Sequence, residues 1–113
     1  MRIVPNEGPV PDFKAGQFLT LGLPNPLDGG KIVRRAYSIA SHPENKDYIE
    51  FVIRWVRKPL PGRLTTQIFN AKEGDEILYL KPTGRALGIS EELPNGEKDN
   101  RRIICIGGGT GLA

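Results

Sequence analysis

The sequence contains only one cysteine and one histidine among its 113 residues. A single cysteine excludes an intramolecular disulfide, and no second histidine or cysteine lies at metal-ligand spacing from His42. The longest uninterrupted apolar stretch, Ile103 to Ile106, is far too short to span a bilayer. The N-terminus, MRIVPNEGPVP, also lacks the apolar segment of a secretory signal. We therefore expect a cytoplasmic protein with no membrane span and no bound metal.

The sequence also lacks a strong excess of charge. Its net charge of +3 comes from scattered lysines and arginines interleaved with 13 acidic residues. A nucleic-acid-binding surface would require a cluster or a stripe of basic residues, so we expect no nucleic-acid partner. A mildly basic surface suits an acidic protein partner or an anionic cofactor equally well.

Ten prolines and fourteen glycines divide the chain into short pieces, which favours strands and turns over long helices. The pattern predicts strands at GQFLTLGL, KIVRRAYSIAS, DYIEFVIRWV and EILYLKPTG. DYIEFVIRWV has the clearest alternation, because Ile49, Phe51, Ile53 and Trp55 share one face. RLTTQIFNAKEGDE predicts a helix of about two turns, with Gly62 near its N-terminus.

The last segment, RRIICIGGGTGLA, has a different residue pattern from the rest of the chain. Its continuous apolar run predicts a buried strand of the parallel-sheet type, in which Cys105 is an inert, buried thiol. The glycines that follow allow a close backbone approach to a ligand, and a simple tight turn is the alternative. We expect this segment to begin a domain that is otherwise missing, with one core formed by the preceding residues.

Residues 34–41, RRAYSIAS, place polar groups where a strand should bury apolar ones. The side-chain period of two puts Arg35 and Tyr37 on one face, with Ser38 on the other unless the strand twists. An arginine suits a pyrophosphate, a tyrosine face suits a flat ring, and a serine can bond to a polar ring edge. An exposed strand face carrying a cation–π pair is the alternative.

A second anion site is predicted at PGRLTTQ, where a helix begins. Gly62 is followed by Arg63, Leu64 and Thr65, which supply free backbone N–H groups, a cation and a hydroxyl. Two anion sites and an aromatic platform in one small domain together suggest a dinucleotide that carries a planar ring system.

The order of six segments resembles the flavin-binding domain of the ferredoxin-NADP reductase family, especially the bacterial ferredoxin/flavodoxin-NADP reductases. The segments are FKAGQFLTLGL, RRAYSIAS, IEFVIRWV, GRLTTQIFNAKEGDEI, KPTGRA and IICIGGGTGLA, and they cover residues 13–113. The resemblance implies an all-β, six-stranded antiparallel Greek-key barrel with one short helix. It assigns residues 1–100 to this FAD-binding barrel, with a truncated N-terminal strand. Residues 101–113 then contain the first strand of a missing α/β NADP-binding domain.

The same resemblance implies roles for residues at matching positions. Tyr37 would stack on the isoalloxazine and Ser38 would hydrogen-bond near the flavin N5; these two are the predicted catalytic residues. The other predicted cofactor contacts fall in four groups. The first binds the pyrophosphate, the second lines the flavin and its ribityl chain, the third caps the pyrophosphate at the helix N-terminus, and the fourth faces the nicotinamide nucleotide. They are Arg35 with Ala36 beside it; Ile53, Arg54 and Trp55; Gly62, Arg63, Leu64 and Thr65; and Gly108, Gly109, Thr110 and Gly111, with Thr110 close to the flavin.

The resemblance further implies electron transfer between NADPH and ferredoxin or flavodoxin through FAD, with NAD as a possible alternative to NADP. The fragment alone is expected to be inactive. The reductase component of an oxygenase, or a cytochrome b5 reductase-like enzyme, is an alternative of the same class. A noncatalytic oligonucleotide-binding barrel is the alternative of another class. The sequence leaves open the electron acceptor, the direction of electron flow and the oligomeric state. It also leaves open whether the chain is made alone.

Overall fold

The computed structural model describes residues 1–111 and 113. Leu112, which belongs to the predicted second domain segment, lies outside the described residues. The elements in chain order are β1 (Arg2–Ile3), β2 (Phe18–Asn25), a single 3-10 turn (Pro26–Asp28), β3 (Lys31–Ser38), β4 (Ile49–Glu50), α1 (Arg63–Asn70) and β5 (Leu78–Tyr79).

Strands β2 and β3 form a long antiparallel hairpin whose register runs from Phe18 opposite Ser38 to Asn25 opposite Lys31. The turn between them uses Gly29 and Gly30, which have φ values of 60° and 78°. Residues that carry a Cβ are strained at such positive φ values, so the two glycines permit the tight reversal. The Asn25 side chain accepts a hydrogen bond from the Leu27 amide at 3.1 Å, which also stabilises the turn.

The alternation of β2 determines which face of β3 points inward. Leu19 and Leu21 are fully buried, and they lie opposite Tyr37 and Arg35 respectively. Side chains directly opposite each other in an antiparallel pair lie on the same face of the sheet. Arg35 and Tyr37 therefore project from the same side of the hairpin as the buried leucines.

The five described strands form two separate sheets, with strand orders β3-β2-β5 and β1-β4. In the described part of the chain they do not close into a barrel, so the structure is mostly sheet with one helix. DYIEFVIRWV is in a strand only at β4, yet the predicted alternation holds, since Ile49 and Phe51 are buried and Val52 is exposed. One hydrophobic core lies between the sheets and the helix: Ile3, Val10, Phe13, Leu19, Leu21, Leu23, Val33, Ile39, Ile49, Phe51, Leu64 and Ile68.

Helix α1 begins directly after Gly62, as predicted, and ends at Asn70. Its Leu64 and Ile68, four residues apart, are buried and pack toward β2 and β3. Apolar residues at this spacing lie on one helical face, so their burial fixes the helix against the hairpin. The eight residues make about two turns.

The C-terminal segment differs from its prediction. Residues 101–106 are not in a strand, and Ile104 and Ile106 are 77% and 95% exposed. Cys105 is exposed, so the prediction of a buried thiol is wrong. The apolar run has no neighbouring strand in the described residues, and without one its side chains have nothing to be buried against. The radius of gyration of 17.1 Å also exceeds the roughly 13 Å of a compact domain of this size.

No helix within residues 1–111 and 113 combines the length and the apolar character needed to cross a bilayer.

Candidate functional site

A cleft of about 600 Å³ lies where the end of β3, the segment after β4, the start of α1 and the glycine turn come together. Its lining residues are Arg35, Ala36, Tyr37, Val52, Ile53, Arg54, Val56, Gly62, Arg63, Leu64, Thr65, Gly108, Gly109 and Thr110.

Strand β3 supplies a cation and an aromatic ring to the cleft. Arg35 is exposed, and its Nη1 donates a hydrogen bond to the Arg34 carbonyl oxygen at 2.7 Å, which leaves other guanidinium donors for a ligand. Tyr37 is half-buried and packs against the hydrophobic core. Burial raises the pKa of the Tyr37 phenol, and the nearby positive charge of Arg35 opposes part of that rise. The phenol is therefore neutral at physiological pH and presents an uncharged ring beside a cation.

The start of α1 supplies backbone donors to another wall of the cleft. Gly62, the N-cap residue, has no side chain that could accept hydrogen bonds from the amides of the first turn. No side-chain hydrogen bond caps the helix at this residue. The first amides of a helix have no partner within the helix, and together with the helix dipole they favour an anion. Arg63 adds a positive charge at the same place.

Thr65 is buried, and its Oγ1 accepts a hydrogen bond from the Val56 amide at 3.4 Å. Its hydroxyl proton is not used by that contact, because a threonine hydroxyl can accept and donate at once. This wall of the cleft therefore combines free amides and a hydroxyl donor with the positive charge of Arg63.

The charge of the lining is one-sided. Arg35, Arg54 and Arg63 all contribute to it, while none of the described residues that line it is acidic. Three arginines around one cleft attract an anionic ligand, and the planar guanidinium is suited to phosphate oxygens. Among residues 1–111 and 113, no three His, Cys, Asp or Glu side chains are grouped so that they could hold a metal ion.

The structure brings most of the predicted site residues together, because all of them except Ser38, Trp55 and Gly111 line the cleft. Ser38 is the last residue of β3 and lies on the face opposite Tyr37, as strict strand alternation requires. Gly111 instead donates its amide to the Gly108 carbonyl oxygen at 2.9 Å within the turn. The Trp55 indole packs against α1, where its Nε1 donates a hydrogen bond to Thr66.

Two lining residues were missed by the sequence reasoning, Val52 and Val56. Both lie after β4, where the chain is no longer a regular strand. Strict alternation places Val52 and Val56 on the same face as Arg54, a predicted site residue, so this pattern is the signal that could have identified both.

A family model described as the oxidoreductase FAD-binding domain matches residues 4–87. The chain is 39% identical over 102 residues to a ferredoxin–NADP reductase of Azotobacter vinelandii, a match that covers 89% of this chain and 34% of that protein. It is 33% identical over 116 residues to the reductase component of propane 2-monooxygenase of Mycolicibacterium goodii, covering 100% of this chain and 28% of that protein.

A third relative is a component of the Na(+)-translocating NADH-quinone reductase of Pseudomonas paraeruginosa. It is 34% identical over 86 residues, and the match covers 72% of this chain and 19% of that protein. The chain thus spans from about a fifth to about a third of the length of these relatives. No solved structure matches it significantly.

Proposed function

Because the chain belongs to the oxidoreductase FAD-binding domain family of ferredoxin-NADP reductase-like flavoproteins, we propose that its cleft binds FAD. The observation that carries the proposal is the composition of the lining, in which three arginines and a half-buried tyrosine share one cleft with no acidic residue among the described lining residues. A dinucleotide with a negatively charged pyrophosphate and a flat ring system needs both features.

The chemistry of the lining fits such a cofactor. Arg35 and Arg63 would bind the pyrophosphate together with the amides of the first turn of α1, and the Thr65 hydroxyl would donate a further bond. The neutral Tyr37 ring would lie beside the isoalloxazine. Ala36, Ile53, Arg54, Gly62 and Leu64 would complete the contact surface.

FAD, when bound, supplies hydride and single-electron chemistry that side chains cannot perform. The residues of this chain would orient the ring, exclude water from it and neutralise the phosphates. Gly108, Gly109 and Thr110 line the same cleft, which supports a proposal that they face a nicotinamide nucleotide. The proposed roles of Ser38 near the flavin N5, and of Gly111, rest on the resemblance alone.

We further propose that the longer protein passes electrons between NADPH and ferredoxin or flavodoxin. The ferredoxin–NADP reductase matches, which cover 89% of this chain, support this assignment. The reductase component of an oxygenase is the second candidate, favoured by a match to such a component over the whole chain. NADH is then the alternative nicotinamide donor, since another relative is a component of an NADH-quinone reductase.

The proposed architecture is a six-stranded Greek-key barrel in residues 1–100, followed by a nucleotide-binding domain that begins in residues 101–113. A second, larger gap of about 1030 Å³ is lined by both β1 and β5. Core side chains Ile3, Leu23 and Ile68 reach it. A sixth strand in this gap would cover apolar side chains and pair with open strand edges.

Absorbance spectroscopy tests the function directly. The purified protein is mixed with FAD, passed through a desalting column and scanned, and the proposal predicts a retained flavin spectrum. A folded, colourless protein that instead binds oligodeoxythymidylate with strong salt dependence would favour the oligonucleotide-binding alternative.

A further inference from the structure

The single tryptophan lies beside α1 and outside the cleft. Its half-buried indole stacks on Phe69, with ring centroids 5.3 Å apart and an interplanar angle of 18°. Its Nε1 donates a hydrogen bond to Thr66 Oγ1 at 3.3 Å, and the Arg57 guanidinium lies 4.1 Å from the ring centroid. The indole ring is therefore in contact with Phe69 of the helix and with the Arg57 guanidinium, and it does not offer a stacking surface to a ligand in the cleft.

The next residue is tied to the same helical turn. The Val56 amide donates to Thr65 Oγ1 at 3.4 Å, and the Val56 carbonyl oxygen accepts a bond from the Gly62 amide at 2.9 Å. Trp55 and Val56 thus hold the first turn of α1 by hydrogen bonds at Gly62, Thr65 and Thr66.

That turn is the part of the helix that lines the cleft. Because its free amides point along the helix axis, a small tilt of α1 misaligns all of them together. A hydrogen bond weakens steeply once its donor angle departs from linearity. The contacts of Trp55 therefore act on every bond that the turn makes to a phosphate.

We infer that Trp55 is a positioning residue, which through its Nε1–H bond to Thr66 aims the first turn of α1 at the phosphates of the cofactor. The inference rests on the proposed binding of FAD. It assigns the tryptophan a role other than the flavin contact that the sequence predicts, since the indole acts through the helix.

Substitutions of Thr66 test this role. Thr66→Val removes the acceptor and keeps the side-chain shape, while Thr66→Ser keeps the hydroxyl. Thr83→Val is the matched control, because Thr83 is exposed and lies outside the cleft. We expect Thr66→Val to raise the Kd for FAD by about three- to ten-fold, the scale of one hydrogen bond. Thr66→Ser and Thr83→Val should bind FAD as the wild type does.

Each alternative result is decisive. If the wild type binds FAD and Thr66→Val binds it equally well, Trp55 does not position the helix. The same conclusion follows if Thr66→Ser binds as weakly as Thr66→Val, since the hydroxyl then has no role. If circular dichroism shows that Thr66→Val is unfolded, Trp55→Phe carries the same expectation, because it keeps an aromatic ring and removes the donor. A wild type that does not bind FAD overturns the proposed function itself.

Discussion

The backbone amide of Gly62 donates a hydrogen bond to the carbonyl oxygen of Val56 at 2.9 Å, which joins two walls of the cleft. Gly62 is at the N-cap of α1, with φ −64° and ψ 129°, a conformation that any residue can adopt. What requires glycine here is space. A Cβ at this position would lie against Thr65 Oγ1 and 3.1 Å from the Val56 Cβ.

Gly62→Ala should therefore destabilise the domain and weaken FAD binding. The added methyl must displace the Thr65 hydroxyl from its bond with the Val56 amide, and overpacking of this kind costs about 1–3 kcal/mol. Urea unfolding measures the loss. Gly88→Ala is the control, because a Cβ there meets nothing within 4 Å. Equal stabilities of the two variants would contradict the steric argument.

Arg35→Ala should weaken FAD binding by about 1.5–3 kcal/mol, the range for a hydrogen bond to a charged group. Fluorescence titration with FAD measures this change. Arg34→Ala provides the comparison, since Arg34 is the neighbouring residue on the other face of β3 and does not line the cleft. An Arg35→Ala protein with wild-type affinity would remove Arg35 from the site.

The titration of Tyr37 should be shifted upward. Burial raises the pKa of its phenol and the charge of Arg35 lowers it, with burial the larger effect. The difference in ultraviolet absorbance between the wild type and Tyr37→Phe should therefore show a midpoint above about 10, the ordinary tyrosine value. Replacing Arg35 with glutamine should move this midpoint higher still. A midpoint below the ordinary value would contradict the burial of the ring.

The same shift has a consequence for stability. The pKa of Tyr37 is higher in the folded protein than in the unfolded one. Its contribution to the free energy of unfolding is therefore fully present below the unfolded pKa, and it is lost as the pH rises through the folded pKa. Tyr37→Phe should therefore lose less stability than the wild type above about pH 10, measured by urea unfolding at several pH values. Parallel losses in both proteins would refute this prediction.

Affinity for FAD should also depend on ionic strength, because three arginines line the cleft. Raising the salt from about 0.01 M to about 1 M shortens the Debye length from about 30 Å to about 3 Å. We expect the Kd for FAD to rise across this range, measured by fluorescence titration. A Kd that is independent of salt would show that the arginines do not act on the phosphates.

Much of the fold was predictable because it depends on local patterns. The alternating leucines of β2 and the spacing of Leu64 and Ile68 in α1 gave elements of the right kind in the right places. The family inferred from the segment order is confirmed by the domain match and by the ferredoxin–NADP reductase relatives. Alternation also predicted that Ser38 points away from Tyr37.

Features that depend on distant partners could not be predicted. The exposure of Cys105 follows from the lack of a paired strand in the described residues, which its apolar neighbours do not reveal. The placement of Trp55 depends on Thr66 and Phe69, which lie eleven or more residues along the chain. A strand pattern identifies which face a side chain lies on, and it does not identify the element that packs there.

Calorimetric titration of FAD into the folded 113-residue chain measures cofactor binding in the cleft without relying on any other component of the longer protein. The cleft predicts saturable binding of one FAD per chain, which the substitution of both Arg35 and Arg63 by alanine should abolish or greatly weaken. A chain that is folded by circular dichroism and takes up no FAD would contradict the account, as would FAD binding that is unchanged in the double variant.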